Sequence, residues 1–223
     1  MPQRQPQLDP EAYALELEQA RSHAPLREVL RGHRRGLLVA GGSRFGPDVM
    51  YSLITAFLLT YITRELALSR TLATSALAIG AACNVACIFV AGGLSDRFGR
   101  RAVYAAGAAA AAVWLWVLFP LLDSRSGLAI TLAMVGGLSI HAFMYGPQGA
   151  LITEQFPARV RYAGASVAYT FAGVFAGGVA PLAFTALYGK FGSTLVIVLY
   201  ASAALAITAV ALWGAVPGRD SRD

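Results

Sequence analysis

An all-α membrane fold of six transmembrane helices is predicted by three features of the sequence. Of the 223 residues, 57% are hydrophobic and only 13% charged, where a soluble domain carries about 25% charged residues. The apolar residues fall into six continuous blocks, each matching the roughly 20 helical residues needed to cross a hydrocarbon core of about 30 Å. The basic residues sit in the gaps between those blocks, as the positive-inside pattern of membrane proteins requires.

Helices are expected over 37–63, 72–94, 103–122, 128–152, 162–188 and 195–216. Barrel strands are excluded, because they alternate apolar and polar residues and these runs do not. The gaps are short and polar, as in Asp123-Ser124-Arg125-Ser126-Gly127 and Gly189-Lys190-Phe191-Gly192, so a helical bundle follows. Residues 1–36 form a lead-in and 217–223 a tail. One side of the bundle receives Arg4, Arg21, Arg27, Arg31, Arg34, Arg35, Arg97, Arg100, Arg101, Arg159, Arg161, Arg219 and Arg222. The other receives Arg64, Arg70, Arg125 and Lys190. Both termini are therefore expected in the cytoplasm.

In the lead-in, Asp9-Pro10-Glu11 is a helix start with a capping Asp and Pro at the first position, and a polar helix is expected to about Arg21. Pro25 then begins a basic amphipathic turn through Arg35, a solvated linker or interfacial helix. The net charge of +6 does not point to nucleic acid, since no basic face is interleaved with aromatics. Cys83 and Cys87 lie inside an apolar block and are expected to pack as small residues, without a disulfide or a zinc ion. No metal or cofactor is implied.

Charged groups in hydrocarbon are costly, so Arg44 and Asp48 in the first helix demand a reason. Their spacing puts them on one face, which Tyr51 shares. They line a substrate or proton site, or else Arg44 snorkels to the interface and is neutralised by Asp48. In the second helix Gly80 and Asn84 are expected to serve helix packing and helix–helix hydrogen bonding. The run Ala108 to Ala112 in the third helix is also a packing surface. The fourth helix carries His141, Tyr145 and Gln148 on one stripe, a candidate cavity lining in which His141 titrates near neutrality. The fifth has Gly173 and Gly177 in a GxxxG spacing that favours a close crossing. Phe45-Gly46-Pro47-Asp48 and Tyr145-Gly146-Pro147-Gln148 repeat one aromatic-Gly-Pro-polar pattern, a gating hint if the chain is two inverted three-helix repeats.

Between the second and third helices runs Gly93-Leu94-Ser95-Asp96-Arg97-Phe98-Gly99-Arg100-Arg101. Glycines permit a tight turn, Asp96 can accept from a helix N-terminus, and the arginines can pair with carboxylates at helix ends. A plain basic hairpin explains the arginines but not their order. The pattern resembles the signature loop of the major facilitator superfamily. Tyr145-Gly146-Pro147-Gln148-Gly149-Ala150, with the stretch from Glu154 to Ser166, is similar to the metabolite:proton symporter family, whose members carry shikimate, citrate, 2-oxoglutarate and proline or betaine.

The resemblance runs from about Pro25 to Pro217. It implies that the six helices correspond to helices seven to twelve of a twelve-helix transporter of the cell inner membrane, with the N-terminal half lying outside this chain. It also marks a departure. The family places an acidic residue three positions after the arginine of the first helix, where Pro47 stands here.

Asp96, Arg97, Arg101, Glu154 and Arg161 are expected to form a cytoplasmic gating network. The second and fifth helices are expected to face the other half through Gly80, Gly173 and Gly177. The function so implied is proton-coupled symport of a small organic solute, a carboxylate or zwitterion, active only with the N-terminal half or a second copy as partner. The rival is a truncated membrane fragment or scaffold that transports nothing. An enzyme is not expected, because no intramembrane Ser-His pair, HExxH or paired-Asp set is present.

Overall fold

The computed structural model describes residues 25–215. The helix expected from Asp9 to Arg21 lies outside them, as do Arg219 and Arg222. Among the described residues the chain is helical with no strand. A short α1 (Pro25–Gly32) leads into six helices long and apolar enough to cross a membrane. These are α2 (Arg34–Glu65), α3 (Arg70–Phe98), α4 (Arg100–Asp123), α5 (Gly127–Thr153), α6 (Ala158–Phe191) and α7 (Leu195–Trp213). The chain is a multi-pass membrane protein. Helices are forced on such segments because every backbone N–H and C=O needs a partner inside lipid.

The connections are tight, and local chemistry explains each. Ser69 caps α3 by accepting from the Leu72 amide at 3.2 Å, satisfying an N-terminal donor that the helix itself cannot. Gly99 alone joins α3 to α4, at φ 91°, a backbone state that only glycine adopts without steric cost. Gly93 does not share in that turn as expected. α3 runs on to Phe98, so Gly93 sits on an exposed helical surface where an added Cβ would meet nothing. At the far end of α6, Gly192 takes φ 62° and its amide donates to Tyr188 O at 2.8 Å, a left-handed helix stop.

α5 packs along α3 and α4, α2 along α7 and α6, and α4 against α7. α2 is the most buried helix, while α3 and α6 are the least. Leu53, Ile54 and Phe57 of α2 meet Leu115 and Leu118 of α4, Met134 of α5 and Phe184 of α6 in one apolar core. A second, smaller cluster closes one end, where Val29 of α1 meets Ile152, Phe156 and Val160. The turn through Pro25 is thus a docked helix rather than a solvated linker: Glu28 also pairs with Arg159.

The three expected packing glycines fall on different sides. Gly80 faces inward, where a Cβ would lie 3.2 Å from the Met134 backbone. This corrects the expectation that it faces the other half. The glycine lets α3 close onto α5, and Asn84 one turn later donates to Leu138 O at 2.6 Å. Gly173 and Gly177, by contrast, have open space where a Cβ would stand. They belong to a π-helical stretch, Gly173–Gly178, and α2 has two of its own at Leu53–Phe57 and Tyr61–Glu65. Such stretches loosen the backbone ladder and free its acceptors. Gly177 O is satisfied by Ser52 Oγ at 2.8 Å, immediately before the first π turn of α2.

Candidate functional site

The site grows from Pro47. Its ring removes one amide and crowds the carbonyl four residues earlier, that of Ser43. That carbonyl accepts from Tyr104 Oη at 2.7 Å and Thr208 Oγ1 at 3.1 Å. Thr208 Oγ1 also accepts from the Gly46 amide at 2.8 Å, and Gln148 Nε2 donates to Tyr104 Oη at 3.2 Å. α4, α5 and α7 therefore all hold the break in α2.

One turn around, Arg44 Nε donates to Asp48 Oδ2 at 2.7 Å, with the two side chains 16% and 11% exposed. The Arg44 guanidinium lies 4.1 Å from the centre of the Tyr169 ring of α6, close enough for a cation–π attraction. Arg44 Nη1 has no partner among the described residues. The pairing partner is the i+4 residue Asp48, since Pro47 carries no acid at i+3.

Farther along, the Tyr51 ring lies 5.2 Å from His141. Tyr145 also stacks on His141, at 5.5 Å. His141 is buried, and its Nδ1 lies 3.4 Å from Asn84 Nδ2. Both tyrosines are half exposed. Arg44, Asp48 and Tyr51 follow one another along one face of α2, which runs from the ion pair to the His141 ring.

Five of the six expected cavity residues thus share one aromatic-walled region on α2 and α5, with a guanidinium donor left over. Such a surface suits a small anion with an organic body. Gln148 is placed differently: it is buried, turned toward Tyr104, and its Oε1 has no partner among the described residues. Sequence reasoning missed Tyr104, Tyr169 and Thr208. Tyr104 and Thr208 are isolated hydroxyls in alanine-rich spans and Tyr169 lies between Ser166 and Thr170, but nothing local told which would face inward.

At the end that carries Gly99, Glu154 pairs with Arg100. The expected Arg101–Glu154 pair is not formed. α4 begins directly after Gly99, so Arg100 and Arg101 point about 100° apart and Arg101 is exposed. Arg161 Nε bonds Phe156 O at 3.5 Å, Arg97 lies 5.4 Å from the Phe98 ring centre, and Asp96 is exposed. A double-mutant cycle on thermal unfolding should give a coupling of about 0.5–1 kcal/mol for Arg100 with Glu154, the range of part-exposed pairs. No coupling is expected for Arg101 with Glu154.

The family model described as sugar (and other) transporter matches residues 1–217. The chain belongs to the sugar (and other) transporter family. Three relatives place this transporter-family chain further. The inner membrane metabolite transport protein YhjE of Escherichia coli is 37% identical over 126 residues, covering 55% of this chain and 28% of that protein. The shikimate transporter of E. coli is 31% identical over 175 residues, covering 77% of this chain and 40% of that protein. The citrate-proton symporter of Klebsiella pneumoniae is 36% identical over 141 residues, covering 61% and 31%. The chain therefore spans well under half the length of these relatives. No solved structure matches.

Proposed function

We propose that this chain forms the C-terminal half of a secondary active transporter that moves a small carboxylate-bearing organic solute together with protons. The observation that carries this is Arg44, held by Asp48 and Tyr169 with one guanidinium nitrogen unpartnered among the described residues. An ionisable pair in a membrane helix is kept for a function, and the shikimate and citrate relatives carry anionic solutes by name. In this reading Arg44 takes the carboxylate, Tyr51 and Tyr145 wall the solute, and Asp48 and His141 exchange protons.

The membrane domain of this reading is 37–216, in the inner membrane, with 1–36 and 217–223 cytoplasmic. The segment from Gly93 to Arg101, which is the end of α3, the Gly99 turn and the start of α4, acts with Glu154 and Arg161 as the cytoplasmic gate. Gly173 and Gly177 face the other half. Alternating access rocks two six-helix halves around a midplane site, so the chain needs a partner half to enclose its cavity.

Co-expression with a chain supplying the other six helices should restore proton-driven carboxylate uptake, and Asp48→Asn should then remove its pH dependence. Robust uptake by liposomes containing only this chain, as a verified monomer, would overturn the half-transporter reading. Orientation is tested by single cysteines in a Cys83→Ser, Cys87→Ser background. Lys190→Cys should label in intact cells and Asp96→Cys only after rupture, and the reverse result would refute the cytoplasmic termini.

A further inference from the structure

We propose that α1 and the first turn of α2 form a binding surface for anionic phospholipid headgroups of the adjacent leaflet. This does not depend on what the protein transports. Three faces of α1 carry the argument. One is docked, with Val29 fully buried and Glu28 paired with Arg159. The second holds Leu26 and Leu30, one helical turn apart and about half exposed. The third holds Arg27 and Arg31, also one turn apart and exposed, and exposed Arg34 opens α2 beside them.

Among the described residues no acid answers these arginines. Glu28 is engaged with Arg159, and no Asp or Glu occurs from 29 to 47. Arg27, Arg31 and Arg34 make no ion pair or hydrogen bond among the described residues, whereas Arg35 donates to Gly214 O at 3.3 Å. α1 also sits where the apolar spans begin, which is the level of lipid headgroups. A helix lying there buries leucines in the acyl boundary and lifts its arginines to the phosphates. Guanidinium binds phosphate through paired donors.

The leucines distinguish this surface from a free-anion site. A soluble phosphate would use the arginines but has no use for an apolar stripe beside them. Attraction of a basic residue to an anionic leaflet amounts to about fivefold in affinity, so three arginines give on the order of 100-fold.

The test uses the full chain purified in neutral detergent. It is titrated with dioleoyl phosphatidylglycerol, dioleoyl phosphatidylcholine and inorganic phosphate, and binding is read by native mass spectrometry. The expected result is phosphatidylglycerol bound on the order of 100-fold tighter than phosphatidylcholine, with no phosphate binding. The variant Arg27→Gln/Arg31→Gln/Arg34→Gln should lose that preference, and Leu26→Ser/Leu30→Ser should weaken both lipids. Should the triple variant fail to fold, Arg27→Gln and Arg31→Gln singly decide the matter, each with an expected loss of about fivefold. A preference that survives these substitutions, or phosphate binding that matches the lipid, would overturn the proposal.

Discussion

Replacing Arg44 with alanine should abolish carboxylate uptake by the assembled transporter, each charged hydrogen bond lost removing about 10- to 100-fold. Hydrogen bonds to a charged group contribute about 1.5–3 kcal/mol, and Arg44 Nη1 is a buried donor without a partner among the described residues. The substitution also strands Asp48, which is mostly buried and accepts from Arg44 at 2.7 Å. Breaking a buried pair on one side costs about 3–5 kcal/mol, so loss of transport and loss of folding must be separated. The double variant Arg44→Ala/Asp48→Asn removes the stranded charge and should recover stability without recovering uptake. Arg44→Lys keeps the charge but loses the planar donor set and the stacking on Tyr169, and should transport weakly. Uptake unchanged in Arg44→Ala and in Asp48→Asn would mean that the pair only neutralises itself at the membrane interface.

Gly46→Ala should destabilise the bundle by about 1–3 kcal/mol, the usual effect of overpacking a tight contact. Its Cβ would lie 2.8 Å from Thr208 Oγ1, 2.9 Å from Leu205 Cδ2 and 3.0 Å from Leu205 Cα. The last of these is backbone, so α7 itself must move. The shift would also weaken the Gly46 amide bond to Thr208 beside the break at Pro47. Gly93→Ala is the matching control, since a Cβ there meets nothing. It should be neutral or stabilising by about 0.5–1 kcal/mol, because alanine suits a helix interior better than glycine. Equilibrium unfolding of both variants in mixed micelles checks the opposite signs.

The six-helix bundle was legible because lipid leaves a backbone few options and because spans of that length have no soluble use. Arg44 and Asp48 were legible for the same reason: charge inside an apolar block stands out. Hydroxyls do not stand out in this way. Tyr104, Tyr169 and Thr208 owe their roles to helices far away in sequence, and no local pattern encodes which neighbour arrives. The choice of Arg100 over Arg101 turned on a single residue, the point where α4 begins. Helix ends are uncertain from sequence by more than that. The docking of α1 was hidden because its inward face amounts to little more than Val29 and Glu28.

The bond network around Pro47 also constrains how the protein is made. Among the six spans, α2 leaves the ribosome first and α7 last, yet Thr208 of α7 is what satisfies the Gly46 amide and shares the Ser43 carbonyl. α2 is also the least apolar of the six and carries Arg44 and Asp48 through the insertion machinery before α4, α5 and α7 are made. Its early lodging in lipid is therefore the weakest of the set. α3 and α7, which are strongly apolar, can enter the bilayer on their own. Of these six spans, the earliest made is thus the one whose bond network is completed only when the last arrives.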